Sequence, residues 1–330
     1  MNYLQLAGYF FEYYTALQRQ KKFIAQHLEP FINSYETELG YRLNKADRKK
    51  VLIYYPCFTV LGGADNFALL KNRSITPQEN WRLTVVSAMS SLCDDLIDEE
   101  NWNADQLLQL LDLKLDNLPI SPKTNMILRL NEELHRQNPP SAAYEQQLRT
   151  AIEWQAASLQ QLSPGISTGR IIEISREKNG NTSLMFASLM DEDWTEAEKA
   201  VIHYSGYLGQ LVNDSYDVYK DVPAGVQTYI QRTKSIDEAE TFFLAEWRKL
   251  VALIMQTNAS TKNKDRLINR FACFHGYALV AFNQFRLIEQ KRGKPVPWKE
   301  ATRKELVIDM ERWPTRLQLL KCIKKLSKYR

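Results

Sequence analysis

The chain has 330 residues, of which 44% are hydrophobic and 11% aromatic, and its formal net charge is +4. That length allows one large core, and twelve glycines with twelve prolines are few enough to disfavour a turn-rich all-β protein. The modest charge, without a Lys/Arg stripe or a recognisable nucleic-acid motif, argues against nucleic acid as a partner.

The cysteines and the hydropathy narrow the class of protein further. Cys57, Cys93, Cys273 and Cys322 are widely scattered with no C-x-x-C pair, so neither a zinc ribbon nor a disulfide scaffold is expected. No stretch approaches 18 apolar residues, so no stable membrane insertion is expected. Met1–Ile24 lacks the charged start and apolar run of a secretory signal, and the expected location is the cytoplasm.

Helix-start signals recur along the chain and predict an all-α protein. Thr76-Pro77-Gln78-Glu79 combines an N-cap, an N1 proline and a capping-box glutamate, predicting a helix from about Pro77 to Asp98. The helix that follows Thr195 is predicted to run from Glu196 to Asp221 and to be terminated by Pro223 and Gly225. Other helices are predicted to begin at Asn103, Ser121, Ser141, Ser235 and Thr261, the last reaching about Lys291.

Strand signals are weak, and linkers are absent. Val51–Tyr55 is the best strand candidate, but Lys50 and Pro56 flank it in a helical context. No linker rich in Gly, Pro or Ser divides the chain, so residues 1–330 are predicted to form one domain of ten or more helices. Breaks between helices are predicted at Pro56, Gly62-Gly63, Ser163-Pro164-Gly165 and Asn179-Gly180.

The first acidic cluster ends the helix that begins at Pro77. It reads Asp94-Asp95-Leu96-Ile97-Asp98 and is followed by two glutamates, Glu99 and Glu100. Asp94 and Asp98 share one helix face. Carboxylates are disfavoured at a helix C-terminus, and no base lies nearby in sequence, so the cluster requires a cation from elsewhere. Mg²⁺ prefers such oxygen ligands. The alternative is a solvated acidic helix end.

The second cluster is Asn213-Asp214-Ser215-Tyr216-Asp217-Val218-Tyr219-Lys220-Asp221. Asn213, Asp217 and Asp221 have the i, i+4, i+8 spacing of one helix face. Gly206 and Gly209 precede them, and because glycine disfavours a helix interior by about 1 kcal/mol, they indicate close packing or space for a ligand. The alternative is a close-packed helix with an exposed polar end.

Together, the two clusters resemble those of the class I isoprenoid synthase superfamily, which includes terpene cyclases and trans-prenyltransferases. Asp94-Asp95-x-x-Asp98 matches its aspartate-rich motif. The second cluster is similar to the N-D-x-x-S-x-x-x-E triad of terpene cyclases, with Asp217 and Asp221 at the Ser and Glu positions, and to the second D-D-x-x-D of prenyltransferases. The resemblance covers residues 77–292 and implies a single-domain α-helical bundle with a central active-site cavity.

The resemblance also implies three Mg²⁺ ions and a prenyl diphosphate substrate. Asp94, Asp95, Asn213 and Asp217 are the implied catalytic residues. The implied metal ligands are Asp94, Asp98, Asn213, Asp217 and Asp221. Lewis-acid stabilisation of the leaving diphosphate would then allow an allylic C–O bond to ionise.

Basic and aromatic residues would complete such a site. The candidates for gripping diphosphate are Arg170, Arg176, Lys178 and Lys220, and Lys178-Asn179-Gly180 is similar to the K-T-G/A stretch of prenyltransferases. A carbocation requires a dry aromatic cavity. The candidates for lining it are Tyr54, Tyr55, Phe58, Phe186, Tyr207, Phe271 and Phe274.

Three alternatives remain open or are disfavoured by specific residues. Chain elongation is poorly supported, because the prenyltransferase Arg pair after the first motif and the early G-K-R are missing, which favours one-substrate cyclisation or elimination. A di-iron bundle would need two E-x-x-H pairs, and only Glu132-Glu133-Leu134-His135 occurs. A non-catalytic helical scaffold is the remaining alternative, disfavoured by intact carboxylates in both motifs. The sequence does not decide between a monomer and a homodimer.

Overall fold

The computed structural model describes residues 3–137 and 140–329, and all regular elements within those ranges are helical. The prediction of an all-α protein is therefore confirmed. Five of the segments are not α-helical: three are π-helical (Ile24–Leu28, Lys50–Tyr54, Thr59–Ala64) and two are 3₁₀ (Ser158–Leu162, Trp298–Glu300). The α-helices of the described residues are α1 (Tyr3–Phe23), α2 (Glu29–Glu38), α3 (Lys45–Lys49), α4 (Tyr55–Phe58), α5 (Asp65–Leu70), α6 (Pro77–Asp98), α7 (Ala104–Leu111), α8 (Pro122–Gln137), α9 (Ala142–Ala157), α10 (Thr168–Ala187), α11 (Glu196–Tyr216), α12 (Val218–Ala224), α13 (Tyr229–Arg232), α14 (Ile236–Gln256), α15 (Thr261–Arg292), α16 (Arg303–Leu306) and α17 (Trp313–Leu326).

The helices form two compact units. The first-cluster unit comprises Phe10–Ala156 and Asn181–Asp193, and the second-cluster unit comprises Met1–Tyr9, Ala157–Gly180 and Trp194–Arg330. In the first-cluster unit, α8, α4 and all three π-helical segments pack against α6. In the second-cluster unit, α11 packs against α14 and α15, and α15 packs against α17. The single-domain assignment stays a prediction.

The predicted start of α6 is confirmed in detail. Thr76 Oγ1 accepts a hydrogen bond from the backbone N–H of Glu79, and Glu79 Oε2 accepts one of 2.7 Å from Thr76 N–H. Glu79 is fully buried and also accepts hydrogen bonds from the Arg73 guanidinium and from the backbone N–H of Asp191. The N-terminus of the helix that carries the first cluster is therefore tied to two other segments of its unit.

The other predicted helix starts are also confirmed. Capping boxes join Asn103 to Gln106 and Thr195 to Glu198, and the Ser235 side chain caps α14. The long helix begins at Thr261 as predicted, with Ser260 as its N-cap, and ends at Arg292.

Two of the predicted breaks are wrong because the chain continues through π-helical turns. Proline has no N–H, and in an α-helix its ring collides with the carbonyl four residues earlier. The wider π turn at Lys50–Tyr54 precedes Pro56 and allows the helical path to continue into α4. Gly62 and Gly63 lie inside the next π-helical segment, where Asn66 Nδ2 donates a 2.8 Å hydrogen bond to the Gly62 carbonyl.

The break predicted at Asn179-Gly180 is also wrong, since both residues lie inside α10. Gly180 serves a different purpose there. A Cβ atom at this position would lie 2.4 Å from Nε2 of His203 on α11, closer than real Cβ contacts allow. Glycine therefore lets the His203 ring lie against α10 in its observed position. The remaining predicted break, at residues 163–165, is confirmed.

The helix predicted from Glu196 to Asp221 is interrupted at Asp217, where α11 ends and α12 begins. The Asp217 N–H still donates to the Asn213 carbonyl at 2.9 Å, and the Asp217 carbonyl accepts the N–H of Asp221 at 2.8 Å. Asp217 thus becomes the N-cap residue of α12, although its side chain makes no capping hydrogen bond. Gly225 caps α12 in the left-handed region at φ +78°, as its predicted role requires, while Pro223 lies inside α12.

Two further features concern hydropathy and the cysteines. In residues 3–137 and 140–329, no helix combines the length and hydropathy needed to cross a bilayer. Cys57, Cys93, Cys273 and Cys322 are all free thiols in buried positions.

Candidate functional site: two carboxylate clusters

The first cluster occupies the last turn of α6, where two of its carboxylates are held by neutral donors. Tyr55 Oη donates a 2.9 Å hydrogen bond to Asp94 Oδ2, and Gln155 Nε2 donates one of 3.1 Å to Asp98 Oδ1. The charge on Asp94, followed by burial, raises the pKa of Tyr55 well above its usual range, so the phenol stays protonated and donates. Both predicted metal ligands of this cluster are thus oriented without being neutralised by these two partners.

Asp95 has a different environment from its neighbours. It is buried, and its Oδ1 accepts a 2.6 Å hydrogen bond from Lys50 Nζ in an ion pair. The same Lys50 Nζ lies 3.6 Å from Glu99 Oε1. Asp95 Oδ2 is buried without a hydrogen-bond partner among the described residues. Lys123 contacts Glu100 at 2.7 Å. The cation that the sequence required from elsewhere is therefore supplied in part by two lysines that are distant in sequence.

A π-helical turn brings Lys50 and Tyr55 to the same cluster. In a π-helix the backbone hydrogen bond joins residues i and i+5, and Tyr55 N–H bonds the Lys50 carbonyl. Both side chains therefore reach the end of α6, which packs against this segment. Sequence periodicity missed Lys50, because five-residue spacing places two side chains on different faces of an α-helix. Single-turn π segments occur frequently at functional sites.

The second cluster lies at the junction of α11 and α12. Asn213 Nδ2 donates a 3.2 Å hydrogen bond to Asp217 Oδ2, and the exposed Lys220 reaches the same oxygen at 3.5 Å. Asp221 is buried. Burial, with repulsion from Asp217 and Asp214, raises the pKa of Asp221 to about 7. Lys220 and Lys178 lower this pKa but do not offset the burial and the repulsion.

Asp214 joins this cluster, although the sequence did not mark it as a site residue. It is buried, accepts a 2.6 Å hydrogen bond from Gln210 Nε2, and lies 3.3 Å from Ser175 Oγ. Burial raises its pKa to about 6, against the opposing effects of Gln210, Lys178 and Ser175. The available signal was Gln210, which precedes Asp214 by one helical turn. Ser175 on α10 could not be identified from spacing.

The four candidate diphosphate-binding residues all lie in the second-cluster unit but differ in surroundings. Arg170 is bound to Glu173 at 2.8 Å, and the Arg176 guanidinium lies 5.2 Å from the centre of the Tyr207 ring. Arg176 Nε is buried without a partner among the described residues. Lys178 Nζ lies 3.4 Å from Ser158 Oγ and lowers the pKa values of Asp214 and Asp221. Lys178 and Lys220 are therefore the two candidates electrostatically linked to the carboxylates.

The candidate cavity residues fall into two groups by exposure. Tyr54 and Phe58 are more than half exposed, whereas Phe186, Tyr207 and Phe271 are buried and Tyr55 and Phe274 are intermediate. A cavity of about 580 Å³ lies elsewhere, among α7, α8 and α9 of the first-cluster unit. Leu108, Leu111, Tyr144 and Leu148 are among its lining residues, which include none of the predicted aromatic set. Aromatic character alone therefore did not identify this cavity.

The donors of both clusters fit a hard divalent cation in chemistry but do not form a complete coordination shell. Carboxylate and amide oxygens are the ligands Mg²⁺ prefers, and one oxygen of the Lys50-bound Asp95 has no hydrogen-bond partner among the described residues. Within the described ranges no three His, Cys, Asp or Glu side chains are arranged to hold a metal ion. Mg²⁺ commonly takes one or two carboxylates and completes its shell with water and substrate phosphate.

Comparison of the chain with family models, curated proteins and solved structures finds no match. The functional interpretation therefore rests on the side chains of the two clusters.

Proposed function

We propose that this chain is a Mg²⁺-dependent class I terpene synthase that ionises an allylic prenyl diphosphate, releases diphosphate, and directs cyclisation or elimination. The observation that carries the proposal is the crowding of acidic groups at the second cluster, where Asp214 and Asp221 are buried, and burial together with the nearby Asp217 raises the pKa of both carboxyl groups. Burying carboxylates without a counter-charge is unfavourable for folding. Their presence is therefore best explained by a cation bound at this cluster.

Each cluster would supply metal ligands. Asp94 and Asp98 in the first and Asn213, Asp217 and Asp221 in the second are the proposed metal ligands. When bound, Mg²⁺ would stabilise the negative charge that develops on the leaving diphosphate.

The remaining residues of the proposal act by position or charge. Hydrogen bonds from Lys50 to Asp95 and from Tyr55 to Asp94 would fix the orientation of these carboxylates, and Gln210 would fix that of Asp214. Lys178 and Lys220 would grip the diphosphate as point charges. Among the aromatic candidates, the buried rings would exclude water from a carbocation and stabilise it through their π faces.

Chain elongation is the second candidate among enzymes. Lys178-Asn179-Gly180 and Asp217 resemble prenyltransferase motifs, but Asp98 is followed by Glu99-Glu100-Asn101-Trp102-Asn103 rather than by an Arg pair. Two of the basic side chains that do reach this region, Lys50 and Lys123, are bound to Asp95 and Glu100. A second diphosphate would therefore compete with these ion pairs, which favours a single-substrate reaction.

A product assay separates the candidates. Purified protein and Mg²⁺ are incubated with geranyl, farnesyl, geranylgeranyl and geranylfarnesyl diphosphates, each with and without isopentenyl diphosphate. The proposal predicts a terpene hydrocarbon or alcohol and inorganic diphosphate from one substrate alone, with none from Asp94→Asn protein. A longer prenyl diphosphate that forms only with isopentenyl diphosphate would establish chain elongation instead. No product under any condition would favour the scaffold.

A further inference from the structure

The helix α17 lies in the most basic part of the chain. Residues 312–330 contain seven Lys or Arg and no Asp or Glu, while the whole chain has a net charge of only +4. The remainder is therefore net acidic, which hides this segment in the overall composition. A helix with this charge, if it also exposes apolar side chains, has the chemistry of an interfacial helix.

One face of α17 is buried against its own unit. Leu319, Cys322, Ile323 and Leu326 are at most 5% exposed, and α17 packs on α15. Trp247 Nε1 donates a hydrogen bond of 3.1 Å to the Leu326 carbonyl. These contacts fix the rotation of the helix about its axis, and therefore fix which side chains point outward.

The outward face combines large apolar side chains with lysines. Trp313, Leu317, Lys321 and Lys324 follow the i, i+4, i+8, i+11 spacing of one helix face, opposite to the buried one. Trp313 is 71% exposed and Leu317 53% exposed, and Lys321 is exposed as well. Trp, with its apolar body and polar N–H, is enriched at membrane–water interfaces.

The charges around this face are unequally distributed. Arg316 lies beside it, with its guanidinium 5.9 Å from the centre of the Trp313 ring, and Lys328 is exposed just beyond the helix. Glu240 is bound by Lys325 and Arg286 and so is already compensated. Asp309 and Glu311 precede the helix at its Trp313 end. The lysine-rich half of the face therefore carries the positive potential.

We propose that this face of α17 binds the surface of an anionic lipid bilayer, with Trp313 and Leu317 inserted among the headgroups. The lysines are attracted to acidic headgroups, and the two apolar side chains are stabilised by leaving water for the headgroup and acyl-chain boundary. A nucleic acid would satisfy the lysines but would leave Leu317 without an apolar partner, so lipid fits the whole face better. The helix would lie on the membrane and would not span it. This proposal is independent of the proposed enzymatic function.

Vesicle co-sedimentation of the full chain tests the proposal. Vesicles of phosphatidylcholine containing phosphatidylglycerol should retain the protein, vesicles of phosphatidylcholine alone should retain much less, and added salt should weaken the binding. The double variant Trp313→Ser/Leu317→Ser should bind about tenfold more weakly or worse. Lys321→Glu/Lys328→Glu should bind about 25-fold more weakly or worse, since each basic residue near the surface contributes about fivefold.

Matched controls come from the same unit. Leu287→Ser removes another exposed apolar side chain, 62% exposed on α15, and Lys262→Glu reverses an exposed charge at the start of that helix. Both should bind like the unaltered chain. Each altered side chain is exposed, so all variants are expected to fold. Thermal unfolding checks this expectation.

Three outcomes would overturn the proposal. The first is no retention of the unaltered chain by anionic vesicles. The second is an equal loss of binding in the controls. The third is a pair of results: nucleic acid binds in a way that depends on Lys321 and Lys328, and the Trp313→Ser/Leu317→Ser variant binds both nucleic acid and vesicles as well as the unaltered chain does. That result would identify a polyanion site.

Discussion

Tyr55 Oη and Asp94 Oδ2 are joined by a 2.9 Å hydrogen bond that links α4 to the end of α6. The acceptor is a carboxylate in a negatively charged cluster, and such charge-assisted hydrogen bonds are stronger than neutral ones. Tyr55→Phe should therefore lower the free energy of unfolding by about 2 kcal/mol.

Its neighbour provides the control. Tyr54 is exposed, and Lys49 Nζ lies over its ring, 4.7 Å from the ring centre. Because Tyr54→Phe retains the ring, it should change the free energy of unfolding by less than about 0.5 kcal/mol. Urea denaturation of the two variants checks the difference. Equal stability of the two would show that the Tyr55 hydrogen bond contributes nothing.

Asp221 should make the protein less stable at higher pH. Its pKa is raised to about 7, so the folded chain holds a proton that the unfolded chain, with an Asp pKa of about 4, has already released. The free energy of unfolding should therefore fall as the pH rises from about 4 through 7 in the absence of Mg²⁺. Asp221→Asn should flatten this dependence and be more stable at pH 8 by on the order of a few kcal/mol.

The pH dependence has its own control. Asp116 is exposed, so Asp116→Asn should preserve the pH profile of the unaltered chain. Urea midpoints measured at several pH values with a chelator present provide the comparison. If Asp221→Asn were less stable than the unaltered chain at pH 8, the carboxylate would be structural, and the case for unbalanced charge at the second cluster would fail.

Glu79 should have the opposite pH dependence. Despite burial, which opposes ionisation, hydrogen bonds from Arg73 and from the backbone of Thr76 and Asp191 lower its pKa to about 2. Its stabilising effect is therefore present above the unfolded pKa of about 4 and is lost as the pH falls toward 2. Glu79→Gln should destabilise the fold at neutral pH by about 3 kcal/mol, because it removes the buried partner of an ion pair and leaves Arg73 paired only with Glu192.

Glu196→Gln offers a comparison for Glu79→Gln, since Glu196 also lies in the first turn of a helix but is 90% exposed. Its effect should stay below about 1 kcal/mol. The difference in the free energy of unfolding between the two variants, measured by denaturation, should decrease as the pH falls. A difference that grows toward acid pH would contradict the assigned ionisation.

Gly180 and His203 should be energetically coupled. Gly180→Ala places a methyl group where the His203 ring lies, and overpacking of this kind costs about 1–3 kcal/mol. In a His203→Ala background the same change meets no ring, and alanine should then stabilise the helix by about 1 kcal/mol. Denaturation of the four proteins in a double-mutant cycle gives the coupling. Destabilisation of the same size in both backgrounds would refute it.

The sequence predicted the features that depend on local chemistry. The capping box of Thr76 and Glu79, the cap at Thr195 and the glycine cap at Gly225 each follow from hydrogen bonds made within a few residues. For the same reason, the positions of both carboxylate clusters near helix ends could be read from the chain. Local signals were sufficient wherever the partners were neighbours in sequence.

The errors arose where distant segments decide the local conformation. Gly180 carries the same local signal whether it breaks a helix or admits His203, and only packing distinguishes the two. Lys50 reaches Asp95 through a π turn that helical periodicity does not represent. The Ser175 contact with Asp214 joins α10 to α11. None of these pairs can be identified from the spacing of residues along one helix.

The most direct test of the central claim measures whether both clusters serve one Mg²⁺-dependent diphosphate-binding function. The melting temperature of the unaltered chain is followed with inorganic diphosphate, with Mg²⁺, and with both, and compared with that of Asp94→Asn and Asp217→Asn proteins. We expect a rise that requires both components, because a ligand that binds only the folded state stabilises it, and we expect each variant to lose that rise. No rise in the unaltered chain, or a rise that persists undiminished in either variant, would contradict the account.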